Sequence, residues 1–122
     1  MKYINKKLTI EKVSLQKISN KFGTPFYLYS YNKLKENINN FKKSFKSFSP
    51  LICFAVKSNT NVHIIREIKK LGLGADVVSM GELMMALKAG INPKKIVFSG
   101  VGKTSDEIKF AIDKKTLLIN AE

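Results

Sequence analysis

The sequence is poor in several residue types on which particular functions depend. Its 122 residues include no tryptophan, one cysteine (Cys53), one histidine (His63) and one arginine (Arg66). A single cysteine cannot form an internal disulfide, and a lone histidine lacks the partners of a zinc site. We therefore expect no bound metal. Cys53 lies in an apolar run, which predicts a buried, reduced thiol in a cytoplasmic protein.

Long apolar stretches are also missing. No run approaches the roughly 20 residues that a transmembrane helix needs. The N-terminus, MKYINKKLTIEKVSLQ, alternates charged and apolar residues and is unlike a signal peptide. We expect no membrane partner. A hydrophobic fraction of 44% is ordinary for a globular chain, so the length predicts one modest domain rather than a disordered segment.

Acidic residues are scarce, because nine Asp and Glu stand against 22 Lys and Arg, for a net charge of +13. All the basic residues except Arg66 are lysines, and they are spread from Lys2 to Lys115 without a dense block. Recognition of nucleic-acid bases and phosphates favours arginine, and no aromatic-basic RNA motif is present. The charge therefore indicates a solvated lysine-rich surface rather than a nucleic-acid partner.

What the sequence does contain is a repeat of short apolar runs and amphipathic segments. Continuous apolar runs, typical of parallel strands covered on both faces, occur at 51–56, 75–78, 96–99 and 116–119. Helical spacing occurs at about 31–45, 61–71, 81–89 and 105–112, and Thr104 and Glu107 have capping-box spacing. The series predicts an α/β fold built of βαβ units, either a doubly wound open sheet or a (β/α)8 barrel. Residues 26–30, FYLYS, are predicted to form one more short strand.

Small and polar residues follow each predicted strand, where both architectures place their chemistry. The stretch ICFAVKSNTN ends an apolar run in Lys57. If this lysine were desolvated at the mouth of the sheet, its amine would be a nucleophile suited to Schiff-base chemistry. Asp76, which lies inside the next strand, could hold that amine in place. A structural lysine at a strand end explains the pattern equally well.

Two glycine motifs give weaker indications. GVGK followed by Thr104 resembles the end of a phosphate-binding P-loop, but Val97 stands where the first glycine belongs. The glycines of GLGADVVSMG precede a strand instead of opening a helix, against the dinucleotide fingerprint. Neither motif predicts a nucleotide site.

Four segments, in order, carry a family resemblance: TPFYLYS, FAVKSN, GADVVSMGEL and IVFSGVGKTSDEI. They resemble the N-terminal part of diaminopimelate decarboxylases, pyridoxal-phosphate enzymes of the alanine racemase-like barrel type. The resemblance implies the N-terminal half of a (β/α)8 TIM-type barrel, incomplete, with about four strands in residues 30–122. It also implies that residues 1–29 carry a strand that joins a β-domain in the full-length enzymes. Met80 departs from the family, where glycine is usual.

The same resemblance implies a site and a reaction. Lys57 would bind pyridoxal phosphate through a Schiff base, and Asp76 and Glu82 match acidic positions near and behind that lysine. The implied activity is decarboxylation of an amino-acid substrate, meso-2,6-diaminopimelate, to L-lysine, carried out by a homodimer in the full-length family. Alanine racemases share the motif lysine, but KSNTNVHII departs from the pattern that follows it there.

The chain is shorter than the ~250 residues of a complete barrel. The family's ring-stacking histidine, glycine-rich phosphate loop and C-terminal catalytic residues are unmatched, so we expect the chain alone to be inactive. Two alternatives stay open. The chain could belong to another pyridoxal-phosphate decarboxylase, acting on ornithine, arginine or carboxynorspermidine, or it could be a non-enzymatic remnant of a split gene.

Overall fold

The computed structural model describes residues 1–122, which divide into two compact units, Met1–Ser44 and Phe45–Glu122. The first unit contains three strands and two helices: β1 (Lys2–Ile4), β2 (Lys7–Ile10), β3 (Val13–Ser14), α1 (Leu15–Phe22) and α2 (Tyr31–Ser44). The second unit contains four strands and three helices: β4 (Cys53–Ala55), α3 (Val62–Lys70), β5 (Gly74–Val77), α4 (Met80–Lys88), β6 (Ile96–Phe98), α5 (Ser105–Asp113) and β7 (Leu118–Ile119). None of the helices combines the length and the apolar character that crossing a bilayer requires.

In the first unit, strands β1, β2 and β3 pair antiparallel in chain order. Each hairpin turns through two residues with positive φ, Asn5 and Lys6 in the first and Glu11 and Lys12 in the second. Two consecutive positive φ values match the right-handed twist of the strands. Neither turn contains the glycine that usually marks such hairpins, and the sequence pattern did not predict this sheet.

Helix α2 begins with two side-chain caps. The Ser30 hydroxyl accepts a hydrogen bond from the Lys33 amide at 3.1 Å. The Glu11 carboxylate accepts a second one, from the Asn32 amide at 2.6 Å, and a third from the Ser30 hydroxyl itself. The bond from Ser30, followed by that from the Asn32 backbone, lowers the pKa of Glu11. A residue of the β2–β3 turn therefore fixes the start of α2.

Residues 26–30 form no strand, so the prediction of a strand at FYLYS is wrong for this chain. Tyr27 is 90% exposed and Tyr29 is 56% exposed. An extended segment becomes a strand only when a neighbour takes up its backbone hydrogen bonds, and no strand pairs with these residues. The division of the chain at residue 30, and the β-domain that residues 1–29 would join, stay predictions.

The second unit confirms the predicted alternation of strands and helices. Strands β4, β5, β6 and β7 form one parallel sheet in chain order. A doubly wound sheet reverses its order at a switch point, whereas a barrel does not. The unbroken order therefore resolves the two architectures that the periodicity left open in favour of the barrel type.

The two faces of this sheet differ. All three helices of the second unit contribute to a single buried core with one face of the strands, and its members are Val56, Ile65, Ala75, Val77, Leu83, Ala86, Ala89, Ile91, Ile96, Phe98 and Ala111. Strand residues of the opposite parity, Ala55, Asp76, Val97 and Leu118, are paired in register and lie half-buried or exposed. The expectation that both faces are covered is wrong within the second unit, because its helices share a core with one face only.

Gly74 lets β5 pack closely beside the start of β6. A Cβ atom at this position would lie 2.1 Å from the Lys95 carbonyl oxygen and 3.0 Å from the Cys53 sulfur. The obstructing atom at 2.1 Å belongs to the backbone, so it cannot rotate away as the end of a side chain would.

We expect Gly74→Ala to lower the free energy of unfolding by about 1–3 kcal/mol, because strands β5 and β6 must separate to admit the methyl group. Chemical denaturation measures the loss. Gly102→Ala is the matched control, since a Cβ at Gly102 would meet nothing within 4 Å. Equal stability of the two variants would contradict the close packing at Gly74.

Glu107 joins the beginnings of helices α4 and α5. One carboxylate oxygen accepts hydrogen bonds from the Thr104 amide (3.0 Å) and hydroxyl (3.1 Å), which confirms the predicted capping box. The other accepts from the Met80 amide at 2.8 Å. The backbone bonds from Thr104 and then Met80 are the main causes that lower the pKa of Glu107. The loops that follow β5 and β6 are therefore tied together by one ionised side chain.

We expect Glu107→Gln to lower the melting temperature at neutral pH, since the neutral amide weakens bonds that the carboxylate accepts. The pKa of Glu107 is lower in the folded state, so its contribution is complete above its ordinary value of 4.5 and is lost as the pH falls below it. The difference between wild type and variant should therefore shrink at acidic pH. Asp106→Asn removes the same charge from the same turn, where it contacts only Lys109, and should have little effect. A difference that persists unchanged at low pH would show that the charge is unimportant.

Candidate active site

The site is built at the carboxyl ends of the parallel strands. Strand β4 ends at Ala55, and a single 3-10 turn, Val56–Ser58, follows it. The Ser58 hydroxyl donates to the Ala55 carbonyl at 2.8 Å and the Asn59 amide donates to the Val56 carbonyl at 2.9 Å, which closes the turn. Val56 is fully buried in the core and anchors the turn, whereas Lys57 is exposed.

The expectation that Lys57 is desolvated is wrong for this chain. Its ammonium group makes no hydrogen bond or ion pair, and in particular none with Asp76 or Glu82. The reason is structural: β4 is an edge strand with a neighbour on one side only, and the helices of the second unit pack on the opposite face of the sheet. The position after the strand is as predicted, and the amine is accessible to a reagent from solution.

Asp76 lies on the uncovered face, in register with Ala55 of β4 and Val97 of β6. Its Oδ1 accepts a hydrogen bond from the Ser99 hydroxyl at 2.8 Å. The Ser99 oxygen in turn accepts one from the side-chain amide of Asn120 at 3.0 Å. A chain of side-chain hydrogen bonds therefore runs across three neighbouring strands, from β7 through β6 to β5.

Backbone pairing sets the positions of Ser99 and Asn120. The Ser99 amide donates to the Val77 carbonyl and the Asn120 amide donates to the Phe98 carbonyl, both at 2.9 Å. Each residue thus continues its strand by one position and lies on the same face as Asp76. Ser99 was predicted only as the last residue of a strand, at 96–99, and its position on this face was missed. The sequence signal for Ser99 is the alternation of side chains along a strand. Ser99 lies two residues after Val97, which is paired with Asp76, so all three side chains share one face.

Glu82 has a different position from Asp76. Its Oε2 accepts a hydrogen bond from the Val78 amide at 3.0 Å, and its own amide donates to the Ser79 hydroxyl at 3.3 Å. These two bonds close the first turn of α4 just after β5 ends. Glu82 therefore holds the loop that leaves the Asp76 strand and does not contact Lys57.

Cys53 is half-buried at the start of β4 instead of fully buried as predicted. Its thiol lies 3.8 Å from the Lys95 carbonyl oxygen, which it approaches as a weak donor. Burial, and to a lesser extent the nearby Asp76 charge, raises the pKa of Cys53, so the thiol stays protonated at neutral pH. Nothing in this environment activates it as a nucleophile.

The loop after β6 is held closed by two hydrogen bonds to Gly100. The Lys103 ammonium donates to the Gly100 carbonyl and lies 5.9 Å from the centre of the Phe98 ring. The Gly100 amide donates to the Glu122 carboxylate at 2.9 Å. The Gly100 amide and the Lys103 ammonium, which resemble parts of a phosphate loop in sequence, are therefore already engaged, in agreement with the rejection of a P-loop.

Residues 31–122 match the model of a protein family described as pyridoxal-dependent decarboxylase, pyridoxal binding domain. Diaminopimelate decarboxylase from Aquifex aeolicus is 47% identical over 122 residues, which are all of this chain and 29% of that protein.

Two solved structures of diaminopimelate decarboxylase in complex with L-lysine also match. The structure from M. jannaschii has a TM-score of 0.92 at 36% identity, and the match covers 96% of this chain and 28% of that one. The structure from Helicobacter pylori has a TM-score of 0.84 at 46% identity, and the match covers 88% of this chain and 27% of that one. The chain thus spans under a third of the length of these relatives, and its fold is that of the N-terminal part of their barrel domain.

The match extends over three quarters of the chain and includes Lys57, Asp76, Glu82, Ser99 and Asn120. These residues lie at or near the carboxyl ends of the parallel strands. The sequence resemblance to diaminopimelate decarboxylases is confirmed, and pyridoxal phosphate is the cofactor that the family implies. The chain therefore belongs to the family of pyridoxal-dependent decarboxylases and carries part of its pyridoxal-binding domain.

Proposed function

We propose that this chain supplies the cofactor lysine of a diaminopimelate decarboxylase, which converts meso-2,6-diaminopimelate to L-lysine and CO2. The observation that carries the proposal is the position of Lys57, an accessible primary amine directly after a parallel strand and one strand from a carboxylate. The names of the relatives support the substrate. The solved arginine decarboxylase of Paramecium bursaria Chlorella virus matches at 21% identity and shares only the fold.

The residues present fit one end of pyridoxal phosphate. The chemistry of Lys57 suits the aldehyde, because a primary amine condenses with it and the amine is open to solvent. The loop after β6 does not offer its Gly100 amide or its lysine to the phosphate, since the amide is bound to the Glu122 carboxylate and Lys103 to the Gly100 carbonyl. We infer that the phosphate is held by residues other than these two.

Within the proposed site, each side chain has a distinct role. Lys57 holds the cofactor covalently, Asp76 places a negative charge on the face beside it, and Glu82 fixes the loop behind. Pyridoxal phosphate, when bound, accepts the electron pair that the departing carboxylate leaves on the substrate. The homodimer of the full-length family remains part of the proposal.

We expect pyridoxal phosphate followed by borohydride to label Lys57 more than any other lysine, because this amine has no partner and lies one strand from Asp76. Peptide mass spectrometry locates the label. Lys57→Arg should abolish the main label, whereas Lys94→Arg, at the opposite end of the sheet in an equally exposed turn, should not. Equal labelling of several lysines, or none at Lys57, would overturn the proposed role.

We also expect the 122-residue chain, saturated with pyridoxal phosphate, to release CO2 from meso-2,6-diaminopimelate no faster than free cofactor at the same concentration. The exposed Lys57 leaves the reacting group in water, whereas efficient decarboxylation requires an enclosed and preorganised site. Trapped radiolabelled CO2 measures the rate. Release at the rate of an ordinary enzyme, about 10 per second, would show that these residues suffice.

A further inference from the structure

The hydrogen-bond chain between Asn120, Ser99 and Asp76 has a fixed direction. The side-chain nitrogen of Asn120 is a donor only, so at 3.0 Å from the Ser99 oxygen it must donate to it. The single hydroxyl proton of Ser99 is then free to point at Asp76 Oδ1, 2.8 Å away. Asp76 is the last acceptor in this series of hydrogen bonds. Its carboxylate therefore receives a charge-assisted bond from Ser99, and the Ser99 hydroxyl is itself held in place by Asn120.

The second carboxylate oxygen of Asp76 is left available. Oδ2 makes no hydrogen bond. Every fully buried side-chain oxygen or nitrogen in the structure has a hydrogen-bond partner, so Oδ2 is not fully buried. Oδ2 therefore reaches solvent on the uncovered face of the sheet. With Oδ1 fixed by Ser99, rotation of the carboxylate is restricted and Oδ2 keeps a constant direction.

This available oxygen lies one strand from Lys57. Asp76 is in register with Ala55, and neighbouring strands are about 4.8 Å apart. Lys57 is two residues beyond Ala55, a distance of at most about 7 Å along the chain. A lysine side chain spans that separation, so a group attached to the Lys57 amine can come into contact with the Asp76 carboxylate.

We propose that Ser99 and Asn120 are positioning residues that hold the Asp76 carboxylate in one orientation toward a cofactor bound at Lys57. The inference deepens the proposed function and rests on it. Neither residue touches the cofactor in this account, and both act through Asp76. The three side chains come from three strands, so the parallel register of the sheet is what brings them together.

The first test measures how tightly pyridoxal phosphate binds at Lys57, from the fraction trapped by borohydride at increasing cofactor concentration. We expect Ser99→Ala to weaken apparent binding about tenfold, the size of one lost hydrogen bond to a charged group. Ser99→Thr keeps the hydroxyl and should retain binding close to that of wild type. Ser105→Ala removes an exposed serine hydroxyl from the start of α5 and is the matched control.

A double-mutant cycle separates positioning from a general structural role. In an Asp76→Ala background, Ser99→Ala should have no further effect on trapping, because the group that it positions is gone. If Ser99→Ala weakens binding by the same factor in both backgrounds, or in neither, the inference is overturned. Thermal unfolding of each variant confirms that the comparison is made between folded proteins.

The second test needs no cofactor, and it distinguishes failure of this inference from failure of the proposed function. The side-chain amide resonances of Asn120, two hydrogen bonds from Asp76, should shift in Asp76→Ala. They should not respond to the same change when Ser99 is also alanine. If wild type shows no preferred label at Lys57, the proposed function fails. The Asn120 resonances then still test whether the hydrogen bonds from Asn120 and Ser99 position Asp76. Resonances that ignore Asp76 would overturn the inference.

Discussion

Parallel pairing of β4, β5, β6 and β7 in chain order is the constraint on which the site depends. It places four strand ends at one end of the sheet, so Asp76 and Asn120, which are distant in sequence, become linked through Ser99. It also sets the register in which Asp76 lies beside Ala55 and Val97. Helices α3, α4 and α5 pack on one face and stabilise this pairing, and the linked polar side chains of Asp76, Ser99 and Asn120 lie on the other face.

The scarce acidic residues are used in a consistent way. Glu11, Glu82, Glu107 and Glu122 each accept a backbone amide, three of them at a helix start and one in the loop after β6. Glu36, Glu67 and Asp106 pair with a lysine three residues away on an exposed helix face, where such pairs contribute little. Asp76 is different, because it is the one acid within a strand and the only hydrogen-bond partner of its carboxylate is a side chain.

Much of this architecture follows from local sequence signals. The apolar runs and the cap at Thr104 predicted the strands and helices of the second unit, because burial and capping act over a few residues. The hairpins at residues 2–14 were missed, since their turns use Asn5, Lys6, Glu11 and Lys12 at positive φ where glycine is the usual signal. The strand at residues 26–30 was wrong because strand formation depends on a neighbour, which local pattern does not reveal.

The site was predicted in position but not in environment. The end of the first apolar run predicted the position of Lys57 correctly. The exposure of the Lys57 side chain, in contrast, depends on which elements cover the edge of the sheet. Ser99 was missed because a serine at the end of an apolar run looks like a strand terminus. Its partner, Asp76, lies 23 residues earlier, and only the register of two parallel strands connects them.

The difference between the two faces of the sheet separates folding from chemistry along the chain itself. Within each strand, residues of one parity fill the core and residues of the other parity face outward. Substitutions at Ala55, Val97 or Leu118 would therefore leave the buried core largely intact while reshaping the surface around Asp76. A polypeptide arranged in this way can acquire a different specificity by exchanging every second strand residue, without having to be repacked.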